Sequence, residues 1–132
     1  MKINTAEGFT GQGKGCPASL AAIEDTLYVI GGKWKLKVII ALREEGNMRF
    51  NELQRTITGI SARVLSNELK ELEMNGFLKR KVYTTAPVVI EYSLTDYSNT
   101  LQKVLQAMID WGFQHRNKIK TDAKKRRLAT VR

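Results

Sequence analysis

Residues 49–83 read RFNELQRTITGISARVLSNELKELEMNGFLKRKVY, and this stretch decides the fold. A short helix is expected from about Asn51 to Ile57, with Leu53 and Ile57 four apart and pointing inward. Asn51 is a candidate cap for it. Thr58-Gly59 is a tight break. Ser61 then suits the N-cap of a second helix, because its hydroxyl accepts from a free N–H of the first turn. Leu65, Leu69 and Leu72 recur at helical spacing and form the buried face of that helix. Asn75-Gly76 is a strong stop. From Phe77 to Tyr83 the period changes to that of a strand, with Leu78 and Val82 on one face and Lys79 and Lys81 on the other.

Downstream, Val88, Ile90, Tyr92 and Leu94 alternate with Val89, Glu91 and Ser93. This second strand answers the first across Thr84-Thr85-Ala86-Pro87, so the pair reads as a hairpin. Thr95 is a cap candidate for a last helix running from about Asp96 to His115 or beyond. That helix carries Tyr97, Leu101, Val104, Leu105, Met108 and Trp111 on one face, with Ile109 and Phe113 beside it. Upstream, Met48-Arg49-Phe50 is a short extended step. Lys33 to Glu45 is a helix with an apolar stripe wide enough to be packed on more than one side. A first helix starts near Pro17 to Ser19, carries Leu20, Ile23, Leu27 and Ile30 on one face, and ends at Gly31-Gly32. Residues 1–15 hold four glycines and little to bury, and read as a flexible leader.

Short helix, glycine break, capped helix and hairpin, in that order, describe a winged helix-turn-helix: a mainly α fold with a small β-hairpin wing. The helix from Ser61 turns its leucines inward and offers Ala62, Arg63, Ser66, Asn67 and Lys70 outward. Arg63 matches the O6 and N7 acceptors of guanine, and Asn67 the N6 and N7 edge of adenine. Ser61 and Ser66 suit phosphate or base contacts, and Ala62 allows close approach. Lys79, Lys81, Tyr83, Thr84 and Thr85 lie on the outer face or tip of the hairpin, where phosphates or the minor groove would meet them. Arg49 is a further phosphate candidate. Polar residues on a helix face are commonly just solvated, and strand lysines commonly protect an edge. Here the cap, the preceding short helix and the following hairpin give them a common purpose.

Composition narrows the function classes. With 132 residues the chain is one domain. Its net charge of +9 favours a polyanionic partner, nucleic acid before membrane. Residues 116–132 contribute +7 of that, so the basicity is concentrated in a C-terminal tail and residues 16–115 form the body. The longest apolar run is Val38 to Leu42, far short of the roughly 20 residues of a membrane helix. No apolar secretory segment precedes Cys16, and a single cysteine makes no internal disulfide, so a cytoplasmic location is expected. His115 is the only histidine. No metal-ligand cluster or catalytic constellation is visible, and neither an enzyme nor a cofactor is expected. GFTGQGKG at Gly8 to Gly15 approaches a phosphate-binding loop. However, Gly15 stands where the hydroxyl belongs and no strand leads in.

Three strings carry a resemblance: CPASLAAIEDTLYVIGGKWKLKVIIAL, RFNELQRTITGISARVLSNELKELEMNGFLKR and PVVIEYSLTDYSNTLQKVLQAMIDWG. They resemble the HxlR-type winged-helix transcriptional regulators of bacteria, relatives of the MarR group. Ser98 departs from the family, which usually has glycine there. The resemblance implies a homodimer bound to double-stranded DNA, with the helix from Ser61 reading a near-palindromic operator. It also implies a dimer interface from the first and last helices, here Leu20, Ile23, Leu27, Leu101, Leu105, Met108, Ile109 and Trp111. Excess apolar surface on both helices agrees with that. Some members sense oxidants or electrophiles through a cysteine just before the first helix, a position that Cys16 matches. Oxidation of this lone cysteine would give a Cys16–Cys16′ bridge across the dimer, a mixed disulfide or a sulfenic acid. Two other readings fit the pattern: a winged helix used for protein contact without specific DNA reading, and an RNA binder held by its tail. No particular small effector is implied.

Overall fold

A computed structural model describes residues 16–130; the glycine-rich leader and its phosphate-loop-like string lie outside the described residues. The chain forms two units, one up to Thr95 and one from Asp96 onward. The first contains α1 (Cys16–Ile30), α2 (Lys35–Glu45), β1 (Met48–Arg49), α3 (Phe50–Thr56), α4 (Ala62–Met74), β2 (Leu78–Tyr83) and β3 (Val89–Leu94). The second is a 3-10 segment (Asp96–Leu101) followed by α5 (Gln102–Thr130).

The core of the first unit is built from the expected stripes. Val38, Ile39, Ala41 and Leu42 of α2 are buried, as two adjacent pairs, and this is how a helix packs on two sides. Leu53 of α3 and Leu65, Leu69 and Leu72 of α4 meet them, joined by Ile57, Ile60, Phe77 and Leu78. Each such side chain contributes roughly 1.5–3 kcal/mol by leaving water.

The strands form a three-stranded antiparallel sheet in the order β1-β3-β2, one strand more than the expected hairpin. The short extended step supplies the third strand, pairing Met48 with Tyr92 and Arg49 with Glu91. β2 and β3 pair over six positions, from Leu78 opposite Leu94 to Tyr83 opposite Val89. Only the base of the ribbon is covered. Leu78 is buried, but Val82, expected on the same strand face, is 46% exposed, and Val88, expected in the second strand, falls just before β3 and is 61% exposed. A two-stranded ribbon that runs past the helices has nothing to cover its distal half.

Two caps define the reading segment. α3 begins at Phe50, and Asn51 does not cap it. Arg49 is the N-cap residue, and its backbone N–H donates to the Glu52 carboxylate at 3.3 Å. β1 runs straight into the helix, so Asn51 falls inside the first turn and the Glu52 carboxylate accepts from the N-cap N–H. Ser61 caps α4 as expected, its Oγ accepting from Val64 N–H at 3.2 Å. Gly59 takes φ +87° in the turn between these helices, a conformation that other residues adopt only with strain.

α4 ends in a fully formed Schellman corner. Phe77 N–H donates to Leu72 O at 3.0 Å and Gly76 N–H to Glu73 O at 3.0 Å, with Gly76 at φ +82°. The Thr95 hydroxyl and backbone N–H then donate to Gly76 O and Phe77 O, which ties the far end of β3 to the same corner.

In the second unit, α5 continues without interruption through the basic segment to Thr130. Trp111 stacks on His115 one turn later, with ring centroids 5.0 Å apart. Lys118 pairs with Asp122 at 2.6 Å and, by donating to its carboxylate, holds Asp122 below the usual carboxylate range.

Candidate nucleic-acid interface

α4 presents its first turns to solvent. Ser61, Ala62, Arg63, Asn67 and Lys70 are exposed and Ser66 is half-buried. Arg63 and Asn67 are four residues apart and so share a face. Neither these two nor Lys70 is tied to another described side chain by an ion pair or hydrogen bond, so their donors point to solvent. The Ser61 cap and the leucines behind it fix this face from within.

The expected wing residues are all exposed: Lys79, Lys81 and Tyr83 on β2, and Thr84 and Thr85 in the loop. Thr85 is the exception in orientation, since its hydroxyl donates to Pro87 O at 2.7 Å. Arg49 is exposed on β1. The register puts Arg49 and Lys81 on either side of Glu91, a role that its place in the strand alternation does not reveal. Glu91 Oε1 accepts from Asn47 Nδ2 at 3.3 Å and from the Tyr83 hydroxyl at 3.4 Å. Lys81 Nζ lies 4.9 Å from the Tyr83 ring centroid. One carboxylate thus organises an otherwise basic face.

The opposite face of the ribbon carries Arg80, a residue missed at the sequence level. Arg80 pairs with Tyr92 and, with Ser66, Leu69, Lys70 and Glu73 of α4, lines a cleft of about 220 Å³ between the reading helix and the wing. Lys70 and Arg80 give this cleft two cations against the single carboxylate of Glu73. The strand alternation grouped Arg80 with Leu78 and Val82; that it faces α4 follows from the sharp Gly76 corner, which no periodicity reveals.

Lys35, at the start of α2, was also missed. Its Nζ reaches Glu68 Oε2 at 2.8 Å and Glu71 Oε2 at 2.5 Å, joining α2 to α4. Burial alone would lower the pKa of Lys35, but the two carboxylates raise it above the ordinary lysine value.

Of the residues expected at a dimer interface, Leu20, Ile23, Leu27, Met108 and Trp111 are exposed in the single chain, by 47–64%. Leu101 and Ile109 are half-buried. Leu105 is 2% exposed in the single chain. Cys16 is a free, exposed cysteine at the first described position of α1. Among the described residues, no helix is long and apolar enough to cross a membrane.

The sequence matches the model of the HxlR-like helix-turn-helix family over residues 29–120. It is 47% identical over 92 residues to the uncharacterized HTH-type transcriptional regulator BH0655 of Halalkalibacterium halodurans, covering 70% of this chain and 81% of that protein. Among solved structures, the redox regulator HypR in its reduced form superposes with a TM-score of 0.70 at 39% identity, covering 76% of this chain and 98% of HypR. The diamide-treated YodB from Bacillus subtilis superposes with a TM-score of 0.58 at 37% identity, covering 69% and 89% of the two chains.

Proposed function

The chain belongs to the HxlR-like helix-turn-helix family of transcriptional regulators, and from that premise we propose that it binds double-stranded DNA sequence-specifically, as a homodimer on a near-palindromic operator. The observation that carries this reading is the face of α4. Arg63 and Asn67 stand exposed on a helix whose start is fixed by Ser61 and whose flank is extended by a basic ribbon. Arg63 reads guanine and Asn67 adenine, while Arg49, Lys70, Lys79, Arg80 and Lys81 hold phosphates. The exposed apolar side chains of α1 and α5 support self-association, with Leu20, Ile23, Leu27, Met108 and Trp111 meeting their counterparts. Two-fold symmetry then sets two α4 helices about 34 Å apart, one DNA turn. A regulator of this kind acts in the cytoplasm and needs no catalytic group.

Selection of duplexes from a random pool at about 150 mM salt tests the reading, since non-specific phosphate binding is weak there. Enrichment of a near-palindrome with half-sites about 10 base pairs apart is the expected result. Arg63→Ala then relaxes preference at one base position per half-site by about 1–3 kcal/mol. A pool that stays unenriched refutes sequence-specific reading.

The same reading includes redox control through Cys16. It is free and exposed at the start of α1, where an oxidant or electrophile can reach it. Relatives of this fold include a redox regulator and a protein whose structure followed diamide treatment. Diamide is expected to change operator affinity in the wild type and not in Cys16→Ser. An equal response in both proteins refutes the role of Cys16.

A further inference from the structure

A recognition helix seated in a major groove has a sugar-phosphate backbone on each side of it. The cleft under the wing faces one of those sides. At about 3.6 residues per turn, Ser66, Lys70 and Glu73 fall on one flank of the Leu65–Leu69–Leu72 stripe, and Glu68 and Glu71 on the other. The wing cleft touches the first flank. The second is met by the start of α2, through Lys35.

The surface beside Lys35 is cationic and built around an indole. The Trp34 ring reaches the turn between α3 and α4, with its Cη2 atom 3.9 Å from where a Cβ on Gly59 would stand. The ammonium groups of Lys33 and Lys37 lie 4.6 and 5.0 Å from the centroid of that same ring. Both lysines are exposed, and neither is in an ion pair with a described acidic residue. The ring's negative face draws both ammonium groups to one place despite their mutual repulsion. Lys35 acts differently: it occupies Glu68 and Glu71, which would otherwise turn two carboxylates toward an approaching phosphate.

We infer that Lys33, Trp34 and Lys37 form a phosphate-binding site for the DNA strand on the side of α4 away from the wing. The inference rests on the DNA-reading function proposed above. The occupant is the sugar-phosphate backbone of the operator half-site, because the site is cationic and borders the turn that leads into the reading helix. Lysine binds phosphate as a point charge, and Trp34 is the platform that gathers the two stems beside the turn. Such contacts carry no sequence information. Their signature is a loss of affinity shared by all duplexes, with a weaker dependence on salt.

Fluorescence anisotropy with the full-length chain separates the possibilities. The proteins are the wild type, Lys33→Gln/Lys37→Gln, Lys33→Arg/Lys37→Arg and Arg63→Ala. Each is titrated with the selected operator and a scrambled duplex between about 50 and 300 mM salt. In the glutamine pair, both duplexes are expected to weaken by the same factor. The slope of log affinity against log salt is expected to shrink by about 0.9 for each lost phosphate contact, about 1.8 per bound protomer. The arginine pair restores the wild-type slope, while Arg63→Ala loses only the preference for the operator. An unchanged slope in the glutamine pair, or a loss confined to the operator, overturns this site and leaves the base reading by Arg63 standing. Wild-type protein that binds neither duplex at about 50 mM salt overturns both readings. Ethylation interference on the wild-type complex needs no variant. Blocked phosphates on both flanks of each half-site are expected, and blocks on one flank only overturn the site.

Discussion

Lys35→Met isolates the ammonium group that joins α2 to α4. Methionine keeps much of the apolar stem, so packing around α2 is largely preserved while both ion pairs disappear. The two pairs are unequal. The Glu71 side chain is 56% exposed and rehydrates on losing its partner, so its share stays within the range of a surface pair, about 0–1 kcal/mol. The Glu68 side chain is 19% exposed and its Oε2 is buried, so an unpaired carboxylate there keeps most of its desolvation penalty, about 1–3 kcal/mol. Against both runs the relief of no longer burying an ammonium that is 11% exposed. The balance is a destabilisation of about 1–3 kcal/mol at pH 7, below the roughly 3–5 kcal/mol of a fully buried pair.

Urea unfolding at a series of pH values reads this out. The folded-state pKa of Lys35 is raised, so the folded chain holds that proton more tightly than the unfolded chain. Its contribution is therefore fully present below the unfolded value, about 10.4, and is lost as pH rises through the higher folded value. The gap between wild type and variant should be flat from about pH 7 to 9 and should close above about pH 10.4. Other lysines and the tyrosines titrate in both proteins and cancel in the difference. A gap under about 0.3 kcal/mol at pH 7, or one that persists undiminished well above the lysine range, refutes the reasoning.

Gly59→Ala meets no clash, its nearest neighbour being Trp34 at 3.9 Å, so its cost is the backbone strain of φ +87° alone. We expect a loss of about 1–2 kcal/mol in thermal unfolding, and a smaller loss for Gly59→Asn. Ser61→Ala removes the acceptor for Val64 N–H and should cost about 0.5–2 kcal/mol. Native-state hydrogen exchange would show faster opening of the first turn of α4. Arg80→Gln should leave stability within about 0.5 kcal/mol and lower affinity for every duplex alike. A change of base preference in that variant, measured by repeating the selection, would contradict a phosphate role.

The reading segment was legible because its signals are local. Ser61, the three leucines and Asn75-Gly76 lie within fifteen residues of one another, and cap, stripe and stop each act over one or two turns. The misses share the opposite property. Lys35 takes its role from carboxylates more than thirty positions away, and Arg80 from a corner that folds the ribbon onto α4. Glu91 becomes central only when β1 pairs with β3. The Asn51 cap failed for a related reason: a strand arriving from Met48 set where α3 begins. Helical period identifies a face; what the face meets is a tertiary fact.

The corner at Gly76 has a mechanical consequence. Two backbone bonds close α4, and the Thr95 hydroxyl and N–H fasten the return strand to the same point. The reading helix and the wing are therefore held at a fixed angle, like two blades of a square rather than fingers of a hand. A protomer built this way cannot trade a tilt of its wing for a better seat of its helix. For the proposed dimer, any mismatch between the spacing of the two helices and the spacing of the half-sites falls on the joint between the protomers or on the DNA itself. Operators would then be distinguished partly by how easily the base pairs between the half-sites bend and twist, at positions that no side chain touches.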